Sequence, residues 1–98
     1  MRQVQLKTVE IVLDGKTSPL SYKLQLAHIM RTPSQNTADL DEVRRSIRIL
    51  NALDTIEGNV LNLEDADFEY MCQRVTGTRW PFIDPVIITF VDDVTGAK

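Results

Sequence analysis

The stretch LDEVRRSIRILNALD, residues 40–54, limits the fold of this chain more than any other. Leu40, Val43, Ile47, Leu50 and Leu53 or Asp54 recur at helical spacing, and Ile49 and Ile56 widen the stripe. An apolar stripe of that period hides from water as one side of a helix laid against other elements. The spacing predicts a helix over 38–57, capped by Thr37 or Asp39, with Glu42 three residues after Asp39 in a variant of the capping box. Gly58 is the expected stop beyond its C-terminus. Asp41 can pair with Arg44 or Arg45 on the same surface.

The segments around it carry weaker signals. In VQLKTVEIVL, Val4 and Leu6 alternate with polar neighbours, and Val9, Ile11 and Leu13 alternate in the opposite phase, which predicts a strand kinked or bulged near Thr8. Asp14-Gly15 is a turn signal, and a second short strand after it is interrupted at Ser18-Pro19. Ser18 and Pro19 read as the cap and first residue of a helix. The run LSYKLQLAHIM fits a strand through Tyr22, Leu24, Leu26, His28 and Met30. It also fits a helix through Leu20, Leu24, Ala27 and Arg31, or through Tyr22, Leu26, Ile29 and Met30. The cap favours the helix. RTPSQNTAD is a polar loop.

In NLEDADFEYMCQRV, Asn62 is the expected cap, with Glu64 and Asp65 in a first turn where carboxylates meet the partial positive charge of free N–H groups. Phe68, Met71, Cys72 and Val75 then form one apolar face, flanked by Leu63 and Tyr70 and ended by Gly77. RWPFIDP is a stiff aromatic loop. IDPVIITFVDDV is rich in β-branched residues, which favours a strand. Yet Asp84-Pro85 makes a cap, Ile83, Ile87, Phe90 and Val94 keep helical spacing, and Gly96 follows; helix is the reading adopted. The whole predicts an α+β domain, mainly helical, over residues 1–98. An N-terminal strand or hairpin packs beside three to four helices, with Val43, Ile47, Leu50, Phe68, Met71, Val75, Ile87 and Phe90 in the core.

Ninety-eight residues with 26% charged side chains and a net charge of −3 leave a nucleic-acid partner unlikely, because such binders usually carry a basic balance. A lone cysteine, Cys72, cannot form an internal disulfide, which fits a reducing compartment. The N-terminus MRQVQLKTVE has no apolar run for export, and no stretch is long enough to span a membrane. No membrane partner is expected.

Several residues invite chemistry and have simpler explanations. Asp65, Asp67 and Glu69 open like a calcium loop, but tyrosine stands at its sixth position and threonine at its twelfth, where glycine and glutamate are needed. Cys72 as a nucleophile would need His28, the sole histidine, and its place on an apolar face suits core packing better. One histidine is a poor start for a zinc site. No glycine-rich phosphate loop, nucleophile elbow or histidine–acid cluster is present, so neither enzymatic activity nor a cofactor nor a metal is expected. Two features remain. Arg44, Arg45 and Arg48 form a basic strip suited to phosphate or carboxylate groups. Arg79 and Trp80 belong to residue types that concentrate at the energetic centres of interfaces, and a tryptophan between Arg79 and Pro81 equally suits a plug for the end of the helical core. These five are the expected partner-binding residues. Asp92 and Asp93 oppose the dipole of the last helix, a cost that contact with a basic partner would offset.

The phrases LDGK, SPLSYKLQLAHIM, LDEVRRSIRILNAL, VLNLEDADFEYMCQRV and RWPFIDPVIITFVDDV resemble, across residues 9–94, small uncharacterised proteins of tailed bacteriophages and prophages. Those chains are of similar length, with a DGK turn, an arginine-bearing helix and an L-x-L-E-D-x-D opening to another helix. The resemblance implies a viral product in the bacterial host cytoplasm that acts by contact rather than catalysis. The leading expectation, motivated by the arginine strip and the aromatic loop, is a non-enzymatic accessory protein that binds a host or phage protein, with inhibition of a host complex and self-association as a homo-oligomer both open. Two alternatives stand beside it: a virion structural or assembly factor of the head–tail or tail region, and a binder of small phosphorylated ligands.

Overall fold

The change of phase near Thr8 is a break between two sheets, not a bulge within one. In the computed structural model, which describes residues 1–33, 37–56, 58–80 and 83–96 apart from the side chain of Leu13, strand β1 (Arg2–Gln5) ends before Leu6 and β2 (Thr8–Leu13) starts after Lys7. β1 pairs antiparallel with β4 (Val60–Leu63), Val4 opposite Leu61, and the Leu6 N–H extends the ladder to the Asn59 carbonyl at 2.7 Å. β2 pairs with β3 (Lys16–Ser21) in a hairpin. Two opposite phases therefore serve two different sheets, and Val4, Leu6 and Ile11 are all buried.

The hairpin closes through Asp14 (φ 52°) and Gly15 (φ 76°), with Leu13 opposite Lys16. A two-residue connection with both φ values positive is the turn that matches strand twist, and Asp-Gly is among its preferred sequences. β3 runs on through Pro19, which lies opposite Glu10. Proline is tolerated because β3 has a neighbour on one side only. This corrects the expected helix start at Ser18-Pro19. The ladder holds the chain extended as far as Ser21, which caps α1 (Tyr22–Arg31) by accepting from the Leu24 N–H at 3.4 Å. Of the two faces open in the sequence, Tyr22, Leu26, Ile29 and Met30 is the buried one, and Leu24 is exposed.

The long helix is α2 (Leu40–Asp54), and Asp39 caps it by accepting from the Glu42 N–H at 2.8 Å. It ends earlier than expected. Thr55 is the C-cap, Gly58 (φ 71°) belongs to the following turn, and Glu57 lies outside the described residues. The side of α2 that faces α1, α3 (Asp65–Thr76) and β4 carries Ser46, Ile49 and Leu53. Two residues expected in the core are therefore misplaced: Val43 is 38% exposed and Ile47 47%, with Leu40 at 63%. Leu50 is only half-buried. The apolar arc of α2 is wider than the neighbours that cover it.

Asn62 is not a cap. It points outward in β4 while Leu61 and Leu63 face inward, and Glu64 takes the cap position of α3 without a side-chain bond. Asp65 and Asp67 do occupy the first turn, and Gly77 is the C-cap. Phe68, Met71 and Val75 are buried, joined by Tyr70. The last segment is helix α4 (Pro85–Thr95): Asp84 accepts from the Val86 N–H at 2.9 Å, and Ile87, Phe90 and Val94 point inward. Ile83 is fully exposed. Pro81 and Phe82 of the aromatic loop, and residues 34–36 of the polar loop, lie outside the described residues.

The architecture is α+β, mainly helical, with the N-terminal strands beside four helices among the described residues. One cluster of buried side chains runs from Val4 to Val94. At its α1–α4 end, the Phe90 ring meets Tyr22 edge-on at 4.9 Å and Trp80 at 5.8 Å. No helix among the described residues is long and apolar enough to cross a membrane.

Candidate interaction surface

Three helices meet at one buried cation. The Arg74 guanidinium, in the last turn of α3, donates to the Ile29 carbonyl at 2.8 Å and to the Thr32 carbonyl, both at the C-terminal end of α1. It also donates to the Tyr70 hydroxyl at 2.9 Å and the Ser46 hydroxyl at 3.2 Å, and pairs with Glu42 at 3.4 Å. The side chains of Arg74 and Glu42 are only 9% and 15% exposed. A helix C-terminus favours a cation, so Arg74 both neutralises Glu42 and adds a donor to the Ile29 and Thr32 carbonyls at the end of α1. This centre was missed in the sequence. The available signal was Ser46, a hydroxyl in line with Ile49 and Leu53, because a buried polar group needs a partner.

The five residues singled out from the sequence fall in two places. Arg45 pairs with Asp41 at 3.1 Å and lies over the Tyr70 ring, and Arg48 pairs with Asp67 at 3.2 Å. Arg44 makes no ion pair within the described residues and is exposed. Arg79 and Trp80 follow Gly77 at the opposite end of α3, about 15 Å along its axis from Asp67 at roughly 1.5 Å per residue. Trp80 is half-buried against Phe90, and Arg79 is exposed. The strip and the aromatic loop are thus separate features.

Arg79 and Trp80 line a cleft of about 520 Å³ with Gln25, His28, Pro33 and Gln73. The cleft opens at the C-terminal ends of α1 and α3, whose partial charges are negative. Arg74 reaches it but is committed to the network above, leaving Arg79 as its one arginine without an in-chain ion pair among the described residues. That makes a polar slot with an indole wall, a weak cradle for phosphate.

Of the groups considered for chemistry, Asp65 and Asp67 are held in ion pairs with Arg2 and Arg48. Asp65 pairs with Arg2 at 3.4 Å, and no group of three or more His, Cys, Asp or Glu side chains is placed to hold a metal ion among the described residues. Cys72 is half-buried, and burial pushes its thiol above the ordinary range. No hydrogen bond joins it to His28, which lines the cleft. Asp93 has its compensating cation inside the chain. Lys7 Nζ lies 2.9 Å from its carboxylate, and the Tyr22 hydroxyl donates to the same oxygen at 2.7 Å.

Among the described residues, the uncovered part of α2 is the exposed apolar surface that lies in a row along one helix beside a groove. Leu40, Val43 and Ile47 stand in a row at helical spacing, exposed, with Arg44 and Arg48 beside them. Between this row and the end of α1 runs a groove of about 200 Å³, floored by Met30, Leu50 and Ser46. Apolar surface gathered along one helix and rimmed by arginine has the composition of a binding surface. Comparison of the chain with protein-family models, with curated proteins and with solved structures gives no match.

Proposed function

We propose that this chain is a non-enzymatic accessory protein of a tailed phage or prophage that works in the bacterial host by binding another protein through the exposed face of α2. The observation that carries this reading is the row Leu40, Val43 and Ile47, left in water beside Arg44 and Arg48 while Ser46, Ile49 and Leu53 make the packed side of the helix. Exposed apolar rows lower solubility, and a bound partner removes them from water. The phage setting rests on the resemblance of the quoted phrases. The involvement of ionisable groups in internal pairs supports binding over catalysis: Asp93, Asp67, Asp65 and Glu42 each have a cation at hand.

Affinity capture from host lysate tests the surface, using wild type, Ile47→Asp and Trp80→Ala. A partner retained by Trp80→Ala and lost by Ile47→Asp is the expected result. Identical captured proteins from wild type and Ile47→Asp would overturn it. Mass spectrometry of purified particles tests the assembly role, which requires the chain to be present in them.

A further inference from the structure

We infer that the α2 groove takes an amphipathic helix whose apolar stripe is bordered by acidic residues. This rests on the reading of α2 as the binding face and adds the chemistry of the partner. The uncovered row extends from Leu40 to Ile47, about two helical turns or 10 Å at roughly 1.5 Å per residue. It lies beside the end of α1, so that Arg31 and Pro33 form one wall and Val43 and Ile47 the other, with Met30 in the floor. An extended peptide gains affinity from the open edge of a sheet, and this groove is lined by helices together with Thr32, Pro33 and Ala38; a helix with side chains at i, i+3 or i+4, and i+7 is the matching shape.

Charge selects among helices. Arg31 lines the α1 side of the groove and Arg44 borders the solvent side, and neither has an ion pair within the described residues. The other charges nearby are taken. Arg45 and Arg48 are balanced by Asp41 and Asp67, and Glu42 faces Arg74. Asp39 caps α2 at one end of the row, and Asp54 stands at the other. Cations on both long sides and carboxylates at the two ends complement a helix with glutamate or aspartate along its flanks. A second copy docked α2 to α2 would instead bring arginine borders against arginine borders.

The test uses two synthetic helical peptides with one shared Leu/Ile stripe, flanked by glutamate in one and by lysine in the other, titrated by fluorescence anisotropy. The glutamate peptide is expected to bind at least about ten-fold more tightly, with the advantage shrinking as salt rises. Ile47→Asp abolishes binding, and the double variant Arg31→Glu, Arg44→Glu reverses the order of the two peptides. Equal affinities, a preference for lysine, or no binding by either peptide overturns the inference. So does a dimer in sedimentation that Ile47→Asp dissociates, since the face then belongs to a second copy. Circular dichroism of each variant separates lost binding from lost folding. If the peptides fail while Ile47→Asp still loses its captured partner, the acidic helix is wrong and the surface stands. If Ile47→Asp captures what wild type captures, the surface itself is wrong.

Discussion

Arg74 shows how much a single side chain can be asked to hold. Its guanidinium joins the end of α1 to α2 and α3 through two carbonyls, two hydroxyls and a carboxylate. Arg74→Ala removes the cation paired with the largely buried Glu42 carboxylate and a donor to the Tyr70 and Ser46 hydroxyls, and a loss of about 2–4 kcal/mol is expected in urea unfolding, against the few tenths usual for a surface arginine. Asp93 gives a second prediction. Its hydrogen bonds from Tyr22 and Lys7 hold its carboxyl below the ordinary value of 3.8. The folded state therefore binds this proton more weakly than the unfolded chain. The contribution is whole above about pH 4, the unfolded range, and is lost as pH falls through the lower folded value. Burial pushes the Tyr22 phenol above its ordinary 10.0, helped by the same Asp93 bond, so its contribution is whole below pH 10 and fades in stronger alkali. Urea midpoints from about pH 2 to 6 should fall toward acid in wild type and slope less in Asp93→Asn. Asp93 was legible as an acid in need of a cation; that Lys7 supplies it, from the other end of the chain, was not. Arg74 looked like any basic residue in a last turn.

Elements were legible where the cap and the periodicity agreed. Asp84-Pro85 outweighed the β-branched content of 86–91, because a filled cap and a pre-set φ act at the start of a helix whatever follows. Asp39 likewise marks the start of α2. Asp39→Ala should cost about 1 kcal/mol, read as a lowered melting temperature. Ser18-Pro19 carried the same kind of signal and failed, since the hairpin ladder claims the backbone as far as Ser21. Pairing partners are not written beside the residues they pair with. At Gly15, φ of 76° lies where a Cβ is strained, although nothing would crowd it. Gly15→Ala is expected to destabilise by about 1 kcal/mol through backbone strain alone, and Asn at the same position by less. Thermal unfolding of the pair distinguishes strain from packing.

At the scale of the molecule, the question is which apolar residues find cover. Val43 and Ile47 have the same spacing as Ile49 and Leu53, yet α1, α3 and β4 reach only one side of α2. Ile47→Asp is therefore expected to change unfolding free energy by less than about 0.5 kcal/mol, whereas a fully buried site would lose several. A large loss in that variant would place Ile47 in the core after all. The sequence by itself determined the helices, the caps at Asp39 and Asp84, the Asp-Gly turn and the acids of the α3 first turn, because each depends on neighbours within a few residues. Tertiary structure alone decided that the N-terminal strands part between two sheets, that Arg74 is buried, and that one flank of α2 stays in water. Those outcomes depend on which surfaces meet, and a periodicity states only that a face is apolar, not how far its neighbours extend across it.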